Sequence, residues 1–260
     1  MTVTAPELIA LVSGFFWPFI RIGAMFVATP LLGAQTMPLR VRIAASLALT
    51  AVVAPMIEVP AGVEPFSLLG LLTTFQQVLI GAAMGFTLQL VFSAMTQAGE
   101  AIAMSMGLGF ASMMDPQNGV QVPVVSQYYV VVSTLIFLAL NGHLVLIEVV
   151  YRSFDTLPVA AAGLDRDAFW LLVQWGSEMF AGAVLVALPA VAALMLVNIA
   201  FGVITRAAPQ LNIFAVGFPM TLLIGFIMML LSLPSLLPQV TDLLLSAFGL
   251  MERMTAGGAP

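Results

Sequence analysis

The sequence predicts an all-α protein that is embedded in a membrane or in a membrane complex. The chain has 260 residues, of which 62% are hydrophobic and only 7% charged, and its mean hydropathy is +1.13. Soluble domains carry about 25% charged residues, so this surface must face lipid or apolar protein. Uncharged intervals exceed the ~20 residues that cross a bilayer as a helix; they are 65–99, 116–147, 179–205 and 207–241. No alternating pattern persists, which argues against the strands of a membrane barrel.

The first half of the chain predicts three apolar helical segments: Leu8–Thr29, about Val41–Ile57, and Phe66–Met95. Proline removes a backbone hydrogen bond and kinks a helix. Because Pro18 lies close to the charged Arg21, the first segment is not expected to be a plain lipid-facing rod. Glycine and alanine are close together between Gly81 and Gly85, a composition that lets two helix backbones approach in an apolar medium. The lack of a basic start argues against a cleaved signal peptide, so the first segment is expected to be retained.

The second half predicts a segment at Val124–Ile147, a polar stretch at Arg152–Asp167, and two long apolar segments at Leu171–Ile204 and Ile213–Phe248. Four prolines interrupt the last two segments, which predicts a kinked helical hairpin; they are Pro189, Pro219, Pro234 and Pro238. A short frayed tail is expected from Met251. The whole chain thus predicts about six long, kinked helical segments, with a boundary between residues 1–167 and a C-terminal hairpin at 168–260.

Several classes of function are excluded or disfavoured. The chain has no lysine, so it lacks the P-loop motif, and it has neither a G-x-S-x-G nor an H-E-x-x-H motif. A net charge of −5 argues against nucleic-acid binding, which needs a basic face. With no cysteine and a single histidine, thiolate metal sites are excluded and other metal sites are not expected. We expect a protein that is not an enzyme and has no cofactor.

The stretch Gln97–Pro123 organises the chain, because it places a methionine- and glycine-rich break between long apolar segments. Methionine is unbranched and fills irregular gaps, so a ring of such side chains can seal against ions and still deform around a passing polypeptide. Glycine gives the backbone the freedom to move. The alternative is ordinary helix packing. The candidate sealing residues of this loop, about 104–123, are Met104, Met106, Gly107, Gly109, Phe110, Met113 and Met114.

Five polar residues are candidates for assembly or for an ion path. Glu100 is an isolated acid, which is costly in an apolar medium and is usually paired or solvated there. Asp115 precedes a proline and predicts a turn. Asn141 and His143 flank a glycine, a pattern typical of a helix end. Arg206, between the last two segments, predicts either a contact with a partner or a cation at a helix C-terminus.

Blocks of sequence spread along nearly the whole chain resemble a known family. The chain is similar to the FliR/SctT family of type III secretion export-gate proteins, and more similar to its flagellar branch than to its injectisome branch. The blocks are QAGEAIAMSMGLGFASMMDPQNGVQVPVVSQ at Gln97–Gln127, FLALNGHLVLIE at Phe137–Glu148, RAAPQLNIFAVGFPMTL at Arg206–Leu222, and R-x(8)-P-x(2)-G at Arg21, Pro30 and Gly33.

The resemblance implies a subunit of the flagellar protein export gate in the bacterial inner membrane, at the flagellar basal body. In this family the N-terminal part resembles FliP and the C-terminal hairpin resembles FliQ. With FliP and FliQ, the protein forms a channel for unfolded flagellar proteins, closed by the glycine- and methionine-rich loop. FlhB and other export-apparatus proteins, and membrane lipid, are the further partners implied. The alternatives are an injectisome export-gate subunit and a small-molecule secondary transporter, which also uses broken helices.

Overall fold

A computed structural model describes residues 5–30, 37–57, 65, 67–109, 123–160, 162–208, 210 and 213–257. Every regular element in these ranges is a helix, which confirms the all-α prediction. The seven α-helices of the described ranges are α1 Ala5–Ala28, α2 Leu39–Val53, α3 Leu68–Ser105, α4 Val124–Ala139, α5 Gly142–Thr156, α6 Arg166–Ala207 and α7 Ile213–Thr255. A short 3-10 helix, Ala54–Met56, follows α2.

The helices lie at the predicted segments, but several of them are longer: α5 runs on to Thr156, α6 begins at Arg166, and α7 runs on to Thr255. Helix α3 runs 38 residues and continues to Ser105, ten residues beyond the predicted end at Met95. The single segment predicted at Val124–Ile147 is two helices, α4 and α5, which meet at an angle of 67°. The predicted helical segments are therefore confirmed, with one of them broken.

Helices α6 and α7 continue past all their prolines, Pro189 in α6 and Pro219, Pro234 and Pro238 in α7. Helix α7 ends at Thr255. The prediction of a frayed tail from Met251 is therefore wrong for residues 251–255, which are helical. Met251 and Met254 are almost completely buried. Their burial removes apolar surface from solvent, which stabilises the last turns of the helix.

Among the described residues, four helical stretches are long and apolar enough to cross a membrane: Leu39–Met56, Leu68–Ser105, Arg166–Ala207 and Ala215–Thr255. The bent pair α4 and α5 makes a fifth if it counts as one span. The most apolar window of α3 is 61% buried within the chain, whereas that of α7 is only 22% buried. Many apolar side chains of α7 are therefore not covered by the rest of the chain, as expected for an integral membrane protein.

The chain divides into two compact units. Unit 1 comprises Met1–Leu90, Asn141–Gly176 and Leu244–Pro260. Unit 2 comprises Val91–Leu140 and Ser177–Leu243. The polar stretch Arg152–Asp167 lies inside unit 1. The division into a FliP-like part, 1–167, and a FliQ-like part, 168–260, stays a prediction.

In unit 1, α1 and α3 cross in close contact at two glycines. A Cβ atom at Gly81 would overlap the carbonyl oxygen of Arg21, and one at Gly85 would lie 2.5 Å from the carbonyl oxygen of Met25. Arg21 and Met25 of α1 thus contact Gly81 and Gly85 of α3 in the same order along the chain. The two helices are therefore parallel. The close approach predicted for Gly81 and Gly85 is confirmed.

In unit 2, α3 and α4 form an antiparallel pair. The rings of Phe92 and Phe137 pack edge to face with centroids 6.2 Å apart. Further along α3, a Cβ atom at Gly99 would overlap the backbone of Ser126, so the two helices touch there. Because later residues of α3 meet earlier residues of α4, the two helices run in opposite directions.

The C-terminal hairpin predicted from sequence is formed by α6 and α7. In unit 1, the indole Nε1 of Trp175 donates a hydrogen bond of 2.9 Å to Ser246 Oγ. In unit 2, a Cβ atom at Gly182 would lie 2.8 Å from both δ carbons of Leu243. Both contacts pair an early residue of α6 with a late residue of α7, so these helices are antiparallel.

Candidate functional site

The methionine- and glycine-rich segment begins where α3 ends, and the end of α3 has a defined geometry. Gly107 has φ +83°, in the left-handed region that favours glycine. The N–H of Gly107 donates to the carbonyl oxygen of Met104 (3.1 Å), and the N–H of Leu108 donates to that of Ala103 (3.0 Å). These two bonds around a left-handed glycine form a Schellman motif, which satisfies carbonyl groups at a helix C-terminus. Gly107 therefore fixes the direction in which the chain leaves α3.

Helix α7 packs against this helix end within unit 2. The hydroxyl of Thr221 shares its proton between the carbonyl oxygen of Met106 (3.2 Å) and that of Phe218 in its own helix (3.0 Å). A Cβ atom at Gly225 would lie 2.6 Å from Cγ and Cε of Met106, so the methionine side chain fills the space above this glycine. The ring of Phe218 lies 3.4 Å from the position of a Cβ at Gly107.

One face of α7 thus holds the start of the loop. Phe218, Thr221 and Gly225 are spaced three and four residues apart, so they lie on the same face of the helix. Met106 is completely buried against this face. On α6, Asn198 Nδ2 lies 3.5 Å from the carbonyl oxygen of Ser105. We call Ser105, Met106 and Gly107, together with these contacts, the loop root.

The predicted sealing residues fall into three groups. Met106 is buried in the loop root, whereas Met104, two residues earlier, is 66% exposed. Gly109 lies directly against the sulfur of Met104. The other sealing candidates, Phe110, Met113 and Met114, lie outside the described ranges, as does the separate polar candidate Asp115, and their roles stay predictions.

Glu100 lies on α3 next to the close contact of Gly99 with α4. Its side chain is exposed, and within the described ranges it has no hydrogen-bond or ion-pair partner. Within those ranges, no arginine and no helix terminus of the chain satisfies the Glu100 carboxylate. An exposed acid on a long apolar helix is available to another molecule or to water.

The helix end predicted at Asn141 and His143 is confirmed. Asn141 has φ 55° and ψ 28°, so it adopts the left-handed conformation, and α5 begins at Gly142. Asparagine is among the few residues other than glycine that adopt this conformation readily. His143 is exposed in the first turn of α5.

Arg206 lies in the last turn of α6, with its side chain exposed. A cation is favoured at this end of a helix, so the position fits the predicted interaction with the helix C-terminus. The exposed guanidinium is equally available to a partner. The position of Arg206 is thus compatible with both interpretations, the interaction with the helix C-terminus and the contact with a partner.

A buried arginine site in unit 1 was not predicted from the sequence. The side chain of Arg21 is completely buried, and its guanidinium carbon lies 4.0 Å from the ring centroid of Phe154. Nε donates to Gln77 Oε1 (2.8 Å), and Nη1 donates to the carbonyl oxygen (2.8 Å) and hydroxyl (3.0 Å) of Ser153. Nη2 donates to the carbonyl oxygen of Leu157 (2.7 Å).

These acceptors are all neutral, and they come from α3, α5 and the chain that follows α5. Arg21 therefore ties α1 to both helices at one point. The sequence signal for this site is that Arg21 is the only charged residue between Glu7 and Arg40. A lone charge in an apolar helix is costly unless it is hydrogen-bonded, and here it is. Among the described residues, no group of three or more histidine, aspartate or glutamate side chains is placed to hold a metal ion.

Comparison with known proteins identifies the family. Residues 12–247 match the family model described as "Bacterial export proteins, family 1". The chain is 36% identical over 252 residues to the Flagellar biosynthetic protein FliR of Escherichia coli (strain K12), with 96% of each chain covered. It is 37% identical over 252 residues to that of Pectobacterium carotovorum subsp. carotovorum, again with 96% of each chain covered. It is 32% identical over 228 residues to that of Bacillus subtilis (strain 168), covering 86% of this chain and 87% of the relative. This chain therefore belongs to family 1 of the bacterial export proteins, together with the flagellar biosynthetic proteins FliR.

Proposed function

We propose that this chain is a subunit of the flagellar protein export gate in the bacterial inner membrane, at the flagellar basal body. It joins FliP and FliQ to form the channel through which unfolded flagellar proteins leave the cytoplasm, and it contacts FlhB and other export-apparatus proteins. It performs no catalysis itself. The loop at 104–123 closes the channel when no substrate passes.

The observation that carries this proposal is the end-to-end similarity to proteins named Flagellar biosynthetic protein FliR. The similarity covers 96% of this chain and 96% of two relatives, so it is not confined to one motif. The flagellar names of these relatives favour the flagellar branch over the injectisome branch.

The geometry of the loop root supports the sealing role. A seal needs a fixed frame and deformable contact groups. The frame is provided where Gly107 caps α3 and where Thr221 and Gly225 of α7 hold Met106. The deformable groups are the methionines that follow, because their side chains adapt to irregular surfaces. The loop therefore starts from a fixed helix end.

The outward-facing apolar side chains of α6 and α7 support assembly in a membrane complex. Large exposed apolar surfaces mark contacts with lipid or with other proteins. The residues of α7 that are more than half exposed include Leu223, Phe226, Leu230 and Leu231. A hairpin with such a surface is suited to pack beside other helical hairpins, such as those of FliQ-like subunits.

Co-purification tests the proposal. The chain is tagged after Pro260, membranes are extracted in mild detergent, and the co-purifying subunits are identified by native mass spectrometry. We expect two small hydrophobic companions, FliP and FliQ, in one stable complex, and we expect cells without this chain to stop secreting flagellar proteins. A chain that purifies alone or as a homo-oligomer, with flagellar secretion unaffected by its loss, would contradict the proposal and favour a small-molecule transporter.

A further inference from the structure

Helix α4 turns three hydroxyl groups toward the inside of unit 2. Ser126, Tyr129 and Ser133 are 0%, 2% and 1% exposed, respectively. They are spaced three and four residues apart, so they lie on one face of the helix. Other positions of α4 carry large apolar side chains that the chain leaves uncovered, such as Val131 and Leu135. The buried face of α4 is thus the one that carries the hydroxyls.

None of these three hydroxyls has a hydrogen-bond partner within the described ranges. A buried serine or threonine can bond a carbonyl of its own helix, as Thr87 of α3 does with the carbonyl oxygen of Ala83 (2.9 Å). A tyrosine cannot, because its ring holds the hydroxyl away from its own backbone. A buried tyrosine hydroxyl usually finds a partner, since leaving it unpaired destabilises the fold. Tyr129 Oη is therefore the group whose partner must be identified.

The neighbouring polar group lies on α7, also within unit 2. Ser232 is close to Tyr129 Oη, but the two hydroxyls are not in hydrogen-bond geometry. Ser232 donates its own proton to the carbonyl oxygen of Met229 (3.1 Å), and its oxygen can still accept. Two residues later, Pro234 lacks the N–H that would bond the carbonyl oxygen of Leu230. This part of α7 therefore has more hydrogen-bond acceptors than donors.

The burial of Tyr129 restricts what can bind there. A side chain of another protein cannot reach a residue that its own chain covers so completely, whereas a water molecule can. Ordered water is the usual partner of buried polar groups that the protein leaves unpaired, and it satisfies backbone groups that proline frees in apolar helices.

We propose that an ordered water molecule is bound between α4 and α7. It accepts a hydrogen bond from Tyr129 Oη and donates one to Ser232 Oγ. A bridging water of this kind links two groups that are too far apart for a direct bond. It joins α4 to α7 beside Pro234, and the inference does not depend on the proposed export function.

Radiolytic labelling tests the water site in the full chain, purified from membranes in mild detergent with any subunits that accompany it. An X-ray pulse splits water into hydroxyl radicals, which oxidise the side chains they touch. A buried ring is oxidised when the radical forms from a water bound beside it, and mass spectrometry locates the oxidised residue. Phe137 is the matched control, because it lies on the same buried face of α4 and is 1% exposed. We expect Tyr129 to be oxidised several-fold faster than Phe137.

Two variants complete the test. Ser232→Ala removes the acceptor on α7, so oxidation of Tyr129 should fall to the rate of Phe137. A slow rate at Phe137 in that sample shows that the fold is kept. Tyr129→Phe removes the donor and should lower the melting temperature in detergent by roughly 2–4 °C, the effect of one lost hydrogen bond in a chain of this size.

Three results would contradict the proposal. Equal oxidation of Tyr129 and Phe137 in the natural chain would mean that no water is bound, whether the hydroxyl is unpaired or bonds Ser232 directly. A Tyr129→Phe variant with a raised melting temperature would show that the hydroxyl is unpaired. Unchanged oxidation of Tyr129 in Ser232→Ala would overturn the assignment of the acceptor.

Discussion

The hydroxyl of Thr221 lies 3.2 Å from the carbonyl oxygen of Met106, 115 residues earlier in the chain, and 3.0 Å from that of Phe218 in its own helix, so its one proton is shared between these two acceptors. The last carbonyl groups of a helix have no partner within the helix, so Thr221 satisfies a group that α3 leaves free. Both residues belong to sequence blocks by which the chain resembles its family. The contact therefore joins the glycine- and methionine-rich block to the GFPMTL block, and it gives the second block a role in positioning the first.

Replacement of Thr221 by valine should loosen the loop root. Valine keeps the shape of threonine and removes the hydroxyl, which leaves the buried Met106 carbonyl unsatisfied at a cost of about 1–3 kcal/mol. We expect a lower melting temperature in detergent and a raised ion permeability of cells that carry the variant. The control is Thr241→Val on the same helix, because that hydroxyl bonds the Leu237 carbonyl four residues before it in its own helix. Equal effects of the two variants would contradict a specific role of Thr221.

Added methyl groups at the root should also be harmful. Gly107→Ala places a side chain at φ +83°, at a cost of about 1 kcal/mol. Gly225→Ala places a Cβ in the space of the Met106 side chain, and overpacking of this kind costs about 1–3 kcal/mol. Gly202→Ala on α6 is the control, since no described residue lies within 4 Å of its Cβ position. We expect thermal unfolding to show two destabilised variants and an unchanged or slightly stabilised control. If Gly107→Ala and Gly202→Ala unfold at the same temperature, the left-handed cap is not needed.

Loss of the buried arginine should destabilise unit 1. Arg21→Met keeps an unbranched chain and leaves the amide of Gln77 and the carbonyl groups of Ser153 and Leu157 without their donor, at about 1–3 kcal/mol for each buried acceptor. Arg21→Lys should rescue little, because an ammonium group cannot reproduce the planar fork of donors. Proteolysis in detergent measures the effect, with faster cleavage expected for both variants.

The control for Arg21 is Arg152→Met. That arginine is 62% exposed and pairs with Glu148 one turn before it in α5, and such exposed pairs contribute roughly 0–1 kcal/mol. Its cleavage rate should stay near that of the natural chain. A rate for Arg21→Met that matches the rate for Arg152→Met would mean that the buried hydrogen bonds do not hold the unit together.

Local features of the fold could be predicted from the sequence because they depend on nearby residues. Gly81 and Gly85 mark a close helix contact through their own lack of side chains, and Asn141 marks a helix end through its own backbone preference. The long apolar segments likewise predict helices by length alone. The antiparallel pairing of α6 and α7 follows from the short connection between them.

Other features depend on partners far away in the chain, and no local pattern predicts them. Met104 and Met106 look alike in sequence, yet one is exposed and the other is buried, because α7 covers only one side of the helix end. Arg21 takes two of its acceptors from backbone carbonyl groups, which every residue has. The last turns of α7 are likewise kept helical by the burial of Met251 and Met254.

The most direct test of the proposed gate is the ion permeability of cells in which the loop has lost its large side chains. Phe110, Met113 and Met114 are replaced together by alanine, and membrane potential is followed with a voltage-sensitive dye. The control replaces three large apolar residues that are exposed outside α6 and α7, Met56, Phe75 and Phe86. We expect a fall in membrane potential and slowed growth for the loop variant only, with the complex still assembled. A loop variant that assembles and keeps the membrane potential of the natural chain would contradict the sealing role.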